Sequence, residues 1–452
     1  MPWILQGQNR APRTIAAQTD LHTAAAGLSN ATGRAPLQEL DRASWHTSPS
    51  MPFDEAGNRA RVESLRRRGV DAWGAERVYV GSDVNLDAIE PGAAIRQATL
   101  SGKDLSIAAG AVIGTSGHAE VRDCQIGPDV ELGAGLYQGA TFLHRVKVRG
   151  FAEIRPGTLL EEEVDIAHSA ALKNTTFTAC CVAGSLINFC DLLLTGGTSR
   201  ADHTEVGSGA IHYNFDRRGD KWGSLLGDIR GVLMRSAPVF IGGTCGLVGP
   251  LEVGFGAVTA AGSTIRKDVP ANSLASAANR AVSVQGLDRN RYGSLRRAFR
   301  VTAKLVATLR ALDAWYEFVR LPHAPPRERQ LYRSAQGQIR IQAQERIDRL
   351  GKVVAKLASG TASAAIDQQA QHRNLVEAWP PLREALQRPT PRQTPPARFL
   401  QDYARAKRSG QEHLEALKAA EAGAEEAEDW IEAVVNNTLQ AANAMLADPG
   451  DA

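Results

Sequence analysis

A six-residue repeat near the middle of the chain limits the possible folds most strongly. Larger apolar or β-branched residues recur six positions apart, and small or apolar residues recur four positions after each of them. The two series are Ile241, Leu247, Val253, Thr259 and Ile265, and Cys245, Leu251, Ala257, Ser263 and Val269. A period of six fits neither an amphipathic helix nor a strand, but it fits a chain that turns a corner every six residues. Three short strands then make one turn of a prism, so the pattern predicts a single-stranded, left-handed parallel β-helix.

The same repeat begins about 150 residues before this run. Its members are Ile89, Ile95, Ser101, Ile107 and Ile113, then Ile126 and Leu132, then Val148, Ile154, Leu160 and Ile166. The breaks in register are typical of small loops that leave the corners. We therefore expect the β-helix to occupy residues 78–280.

The two flanking regions have a different character. Residues 1–77 are expected to form an N-terminal arm with a short helix near residues 21–28 and a second helix over residues 54–69. After residue 286 the glycine-rich corners disappear, and apolar residues follow helical spacing with proline-rich breaks between the stripes. Residues 286–448 are therefore predicted to form an α-helical C-terminal domain, which gives a mainly β protein with additional α structure.

Composition narrows the classes of partner. The 52 basic and 49 acidic residues leave a net charge of +3, which gives no reason to expect nucleic acid as a partner. The five cysteines form no CxxC pair and are typical of buried, reduced thiols in a cytoplasmic protein, so no metal is expected. We found no secretory signal and no apolar segment long enough to span a membrane.

Two polar stretches break the repeat, at residues 192–209 and 212–238. They contain His203, Glu205 and His212, together with Asn, Asp, Arg and Lys residues. Loops that leave a rigid solenoid commonly carry function. We therefore expect these two loops to contribute to a site.

Several motifs resemble one family. They are Arg155-Pro156-Gly157, Ala183-Gly184 with Asp191 seven residues later, Asn214-Phe215-Asp216, and the closing Ala260-Ala261-Gly262-Ser263-Thr264. With them, residues 153–275 resemble the hexapeptide-repeat acetyltransferase domain of the bifunctional UDP-N-acetylglucosamine pyrophosphorylase/glucosamine-1-phosphate acetyltransferase. The region before Val78 lacks a glycine-rich nucleotide loop, so the uridylyltransferase half of that enzyme has no counterpart in it.

The resemblance implies roles for individual residues. Arg155 and Lys173 match residues that contact a sugar phosphate, which suits a guanidinium and an ammonium beside one anion. Asn214 and Phe215 match substrate-binding positions, although the family has tyrosine at the second of them. Further implied binding residues are Ser185 and Asn188 for substrate, and Gly243 and Ala261 for acetyl-coenzyme A or another acyl-coenzyme A. The family also implies a homotrimer with sites between subunits.

The resemblance fails at the catalytic base. The family has a histidine where this chain has Ser185, and an aromatic hydroxyl where it has Asn188. Serine does not accept a proton near neutral pH without a neighbouring base. His203 or His212, with Glu205, is the hypothesis for a replacement.

Three functions remain open at this point. The first is an acyltransferase that acts on a sugar phosphate or nucleotide sugar. The second is a non-catalytic nucleotide-sugar-binding or scaffold module, whose helical domain binds a protein partner or a neighbouring subunit. The third is a zinc hydratase on the same fold, for which the available histidines show no firm ligand spacing. These histidines are His118, His144, His168, His203 and His212.

Overall fold

A computed structural model describes residues 54–277, 291–360, 363–364, 368–388 and 394–446 of the 452-residue chain. The helix expected near residues 21–28 lies outside this described part.

The six-residue repeat forms the predicted left-handed parallel β-helix, with about 11 turns. Each turn contributes a short strand to each of three faces, and strands on one face pair in parallel with those of the next turn. Ile95 aligns with Ile113, and Val148 aligns with Ile166. The repeat residues therefore stack inside the prism, where Ile95, Ile113 and Ile166 have no exposed surface. Burial of these stacked side chains is the main stabilisation of such a narrow core.

The strands of each face follow the chain from its N-terminal end. Face 1 consists of Asp71–Ala72, Ala94–Ile95, Val112–Ile113, Glu131–Leu132, Lys147–Val148, Asp165–Ile166, Val182–Ala183, Glu205–Val206, Phe240–Ile241, Val258–Thr259 and Leu274–Ala275. Face 2 consists of Val78–Val80, Ala98–Ser101, Ala119–Arg122, Gly135–Gln138, Ala152–Ile154, Ile211–Tyr213, Gly246–Val248 and Thr264–Ile265. Face 3 consists of Ser106–Ile107, Gln125–Ile126, Thr141–Phe142, Leu159–Leu160, Ser224–Leu226 and Glu252–Val253. Two longer strands, Ala171–Phe177 and Asn188–Leu194, run from face 2 onto face 3.

The helix expected over residues 54–69 is confirmed as α1 (Glu55–Arg67). The Asp54 carboxylate caps it by accepting a hydrogen bond from the Gly57 N–H at 2.8 Å. Val62 and Leu65 on its inner side are buried in the same core as the first turns of the solenoid.

The C-terminal region is helical. Its α-helices are α2 (Arg296–Trp315), α3 (Arg329–Ala358), α4 (Gln369–Gln387), α5 (Ala397–Arg408), α6 (His413–Ala419) and α7 (Ala424–Leu446). A π-helical turn, Tyr316–Arg320, follows α2. Short 3₁₀ segments occur in this region at Leu321–His323, Pro326–Glu328 and Glu421–Gly423, and in the solenoid at Leu86–Ala88 and Ile229–Leu233. Two short strands of the C-terminal region, Arg291–Tyr292 and Ser363–Ala364, pair in parallel. No helix in the described part is long and apolar enough to cross a membrane.

The helices pack on face 3 of the solenoid in the same chain. Leu159, Leu193 and Leu225 are buried in one cluster with Trp315 and Ile339 of the helical region. Their neighbours Leu160, Leu194 and Leu226 belong instead to the core of the solenoid. Strands that are apolar on both sides are typical of sheets covered on both sides. Faces 1 and 2 are therefore the surfaces that the helices leave available to ligands.

A buried ionic network joins the two parts. Arg320 forms an ion pair with Glu162, and both side chains are almost fully buried. Tyr316 donates a hydrogen bond to Glu161 at 2.6 Å. Buried charges of this kind require their partners, since neither can be hydrated by bulk water.

Candidate functional site

Two of the predicted phosphate-binding residues lie side by side on face 2. The strand register pairs Ile154 with Leu172, which places Arg155 one turn from Lys173. The next turn aligns Lys173 with Cys190. The Arg155 guanidinium lies 3.5 Å from the Cys190 sulfur. Consecutive turns are about 4.8 Å apart, so the two cations can contact one phosphate.

Lys221 is a third cation at this position. The sequence places it in a loop that was expected to contribute to a site, but does not associate it with Arg155 and Lys173. It lies in the loop that joins face 2 to face 3, where its backbone forms an antiparallel bridge with Phe215. Burial lowers the pKa of its ammonium, and Arg349 and Lys173 lower it further by repulsion. Burial also raises the pKa of the Cys190 thiol, and Arg155, Lys221 and Lys173 each oppose that rise. We call Arg155, Lys173 and Lys221 the cation cluster.

A buried carboxylate fixes the loop beside the cation cluster. Asp191 accepts hydrogen bonds from Asn214 and, at 3.2 Å, from Asn174. Arg346 of α3 forms an ion pair with the same carboxylate at 2.5 Å. The predicted Asn214 is thus present at the site but has its amide engaged within the protein, while its neighbour Phe215 is 67% exposed. Helix α3 therefore forms part of the wall around the cluster, which the sequence did not indicate.

A line of one histidine and four small residues marks the corner between faces 1 and 2. We call His168, Ser185, Ser208, Gly243 and Ala261 the corner ladder. Backbone N–H groups of one turn donate hydrogen bonds to carbonyls of the preceding turn, and these bonds establish the order of the residues. The carbonyls of His168, Ser185, Ser208 and Gly243 accept from the N–H groups of Leu186, Gly209, Thr244 and Gly262, respectively. Three predicted binding residues, Ser185, Gly243 and Ala261, therefore lie on one line. Their short side chains leave space for a ligand along the corner.

The corner ladder and the cation cluster border face 2 on opposite sides. Within one turn, His168 lies at the corner and Lys173 five residues later at the far edge. In the next turn, Ser185 and Cys190 occupy the matching positions. Asn188 is exposed between them, as expected for a residue that contacts a ligand. Face 2 thus presents a row of polar groups across its width.

Comparison with known proteins gives matches to one group of bacterial proteins. No protein-family model matches the chain. The bifunctional protein GlmU of Streptococcus pyogenes serotype M18 is 33% identical over 218 residues, which cover 48% of this chain and 43% of that protein. GlmU of Trichlorobacter lovleyi is 31% identical over 233 residues (50% and 45%), and GlmU of Staphylococcus haemolyticus is 29% identical over 231 residues (50% and 46%).

The solenoid resembles the hexapeptide-repeat acetyltransferase domain of the GlmU proteins. The resemblance predicted from the sequence motifs is thereby confirmed. The chain spans less than half the length of these GlmU relatives.

The two histidines predicted as replacement bases lie away from the exposed groups of face 2. His212 is buried in the solenoid, with Nδ1 2.7 Å from the Cys190 carbonyl oxygen and Nε2 2.7 Å from Ser224 Oγ. Burial lowers the pKa of this imidazole to about 4. The ring therefore links two strands as a neutral group and presents neither nitrogen to a ligand.

His203 and Glu205 lie on a different side of the solenoid. His203 Nδ1 is 2.8 Å from the Arg200 carbonyl oxygen, and its Nε2 is 3.9 Å from the Glu205 carboxylate. Glu205 begins a strand of face 1, whereas the cation cluster lies on face 2. The structure therefore does not bring this pair to the cation cluster, and its catalytic role stays a prediction.

The histidines considered for zinc are engaged separately. His118 lies 3.1 Å from Thr99 Oγ1, and His144 lies 3.1 Å from the Glu328 carboxylate. Within the described residues, no group of three or more His, Cys, Asp or Glu side chains is arranged to hold a metal ion. The zinc hypothesis therefore gains no support from the geometry.

Proposed function

We propose that this chain binds a sugar phosphate or nucleotide sugar on face 2 and transfers an acyl group to it from acyl-coenzyme A. The observation that carries the proposal is the cation cluster, in which the Arg155 guanidinium contacts the Cys190 thiol, Lys173 aligns with Cys190 on the next turn, and Lys221 of the adjoining loop is near enough to lower the pKa of that thiol. A phosphate is the anion that such a convergent set of guanidinium and ammonium groups recognises.

Electrostatics favours an anion at the cation cluster. Lys221 is half-buried, and its pKa is lowered because burial and neighbouring cations disfavour its charge. A bound phosphate supplies an opposite charge, which favours the charged form of Lys221 and offsets the repulsion between the cations. Some of this repulsion is already opposed by Asp191 and Glu345.

The corner ladder supports binding of the acyl donor. Its residues from Ser185 to Ala261 are small, and Ser185, Ser208 and Gly243 form a path of small residues on consecutive turns of the solenoid. An extended pantetheine chain suits such a path. We propose that the path is completed by a neighbouring subunit in a cytoplasmic homotrimer, as the resemblance to GlmU implies. Sedimentation velocity that shows only monomers would contradict this assembly.

A non-catalytic binding module is the second candidate. The observation in its favour is Ser185, which replaces the histidine that the family uses as its base. This candidate predicts binding at the cation cluster without turnover. It also leaves the polar corner beside Ser185 without a chemical role.

Thermal unfolding with ligands tests the proposed function. We expect glucosamine 1-phosphate, UDP-N-acetylglucosamine and acetyl-coenzyme A each to raise Tm, because a ligand at 100 times its Kd stabilises the folded state by about 2.7 kcal/mol. The Arg155→Ala/Lys173→Ala variant should lose the response to the two phosphorylated sugars and retain the response to acetyl-coenzyme A.

The matched control is Arg149→Ala/Lys147→Ala on face 1. These cations pair with Asp165 and Glu131 and lie outside the cation cluster. This control should respond to all three ligands like the wild type. No response of the wild-type protein to any ligand would contradict the proposal, and a response to phosphorylated sugars alone would favour the binding module.

A further inference from the structure

An imidazole and a hydroxyl form a pair at the head of the corner ladder. His168 Nδ1 lies 3.0 Å from Ser185 Oγ. The Ser185 N–H in turn donates to Ser208 Oγ at 3.1 Å. The contact joins two consecutive turns, since the Leu186 N–H donates to the His168 carbonyl at 3.1 Å. We infer that His168 is the general base of the acyl transfer, and that Ser185 is the positioning residue that orients its ring.

The second nitrogen of His168 is available to a ligand. His168 is exposed, and Nε2 has no hydrogen-bond or ion-pair partner in the described part of the chain. When the Nδ1–H donates to Ser185 Oγ, Nε2 carries the lone pair that accepts a proton. His212 differs because both of its nitrogens are engaged and its ring is buried.

The position of His168 allows it to supply the base, although residue 185 is a serine. His168 lies one turn before Ser185, a displacement of about 4.8 Å along the solenoid axis. Its ring reaches hydrogen-bond contact with Ser185 Oγ across this gap. An imidazole therefore occupies the corner beside residue 185 although its backbone belongs to the preceding turn.

His168 and the cation cluster can act on one substrate. Lys173 follows His168 by five residues, which span at most about 18 Å of extended chain across face 2. Both side chains are long enough to shorten that separation. A sugar with its phosphate at the cation cluster can therefore extend its acceptor group toward the corner.

The proposed step balances without a further reactant. The acceptor is a sugar amine, and the donor is the thioester of acyl-coenzyme A. His168 Nε2 takes a proton from the amine nitrogen of the sugar as the lone pair of that amine nitrogen forms a bond to the thioester carbonyl carbon. The carbon–sulfur bond then breaks, and the proton passes from Nε2 to the leaving thiolate. The products are an amide and coenzyme A, and the imidazole is neutral again.

The inference rests on the proposed function, and one set of variants tests both separately. The assay measures transfer from acetyl-coenzyme A to glucosamine 1-phosphate. His168→Gln should reduce kcat by about 100-fold or more, the range for loss of a general base, with little change in KM. His118→Gln is the matched control, because this histidine is also exposed and bonded to a hydroxyl, but on an earlier turn. It should retain wild-type kcat.

The outcomes separate the two ideas. No transfer by the wild-type protein overturns the acyltransferase proposal and this inference together. Transfer that persists in His168→Gln overturns only the inference, as does an equal loss in His118→Gln. Thermal unfolding with UDP-N-acetylglucosamine shows that each variant is folded and still binds at the cation cluster.

Ser185 has its own test. Ser185→Ala should lower kcat by less than His168→Gln does, and Ser185→Thr should restore it, because threonine retains the hydroxyl. Nitrogen-15 NMR of the histidine rings gives a second readout. We expect the His168 tautomer with a proton on Nδ1 in the wild type and a changed tautomer ratio in Ser185→Ala. A proton fixed on Nε2 in the wild type would overturn the inference.

Discussion

Replacing Arg320 with methionine is expected to lower the free energy of unfolding by about 3–5 kcal/mol, the range for removing one partner of a buried ion pair. The Arg320 side chain is only 1% exposed and pairs with Glu162, which is 3% exposed. Its guanidinium also lies 3.9 Å from the Glu161 carboxylate. Burial raises the pKa of Glu161 to about 7, and attraction to Arg320 opposes this rise. Without Arg320, the buried Glu162 loses its ion-pair partner and the buried Glu161 loses the guanidinium 3.9 Å away.

Denaturant unfolding measures this effect, and two further variants control it. Arg327→Met removes an arginine that is 73% exposed, so its effect should be close to zero. The double variant Arg320→Met/Glu162→Gln should lose less free energy of unfolding than the sum of the two single variants, because the second change removes a buried carboxylate that has lost its cation. A loss below about 1 kcal/mol for Arg320→Met would show that the network contributes little.

The protein is also expected to lose stability in mild acid through His212. Burial lowers the pKa of the folded imidazole from 6.5 to about 4. As pH falls below 6.5, the unfolded chain takes up a proton that the folded protein still excludes. This contribution is therefore fully present above pH 6.5 and is lost as pH falls toward 4. A shift of this size corresponds to about 3 kcal/mol.

Urea unfolding at several pH values between 7 and 4 checks this prediction. His212→Gln lowers stability at neutral pH because it disturbs the bonds to Cys190 and Ser224. The informative quantity is the slope with pH, which should be smaller in His212→Gln than in the wild type. Equal slopes would assign the acid sensitivity to other groups, such as His413, whose pKa burial also lowers.

The solenoid could be predicted because its repeat is local. Each six-residue step carries its own inward residue, so the pattern remains readable even where loops interrupt it. The packing of the helices on face 3 was not predicted, although the sequence contains a signal for it. Pairs such as Leu159-Leu160 and Leu225-Leu226 place apolar side chains on both sides of a strand, which indicates a covered face. The identity of the covering helices depends on long-range contacts that no local pattern encodes.

The candidate site also contains some residues that the sequence could identify and others that it could not. Arg155, Lys173 and the small corner residues were proposed from the family resemblance, whose motifs lie in the regular turns of the solenoid. Lys221 could not be identified in this way, because its position depends on the path of a loop. Arg346 reaches Asp191 from 155 residues away in the sequence.

The contact between His168 and Ser185 was missed for a related reason. The two residues are 17 positions apart in the sequence, and the length of a turn varies along this solenoid. Neighbours across turns therefore cannot be assigned reliably by counting residues. Only the strand register shows that an imidazole lies beside the serine.

Calorimetric titration with glucosamine 1-phosphate and with glucosamine tests the central claim most directly, namely that the cation cluster on face 2 binds a phosphorylated sugar. We expect the wild-type protein to bind the phosphorylated sugar and to show no measurable binding of glucosamine. The Arg155→Ala/Lys173→Ala variant should lose this binding, and the Arg149→Ala/Lys147→Ala control should retain it. Equal binding by the wild type and the Arg155→Ala/Lys173→Ala variant would contradict the claim.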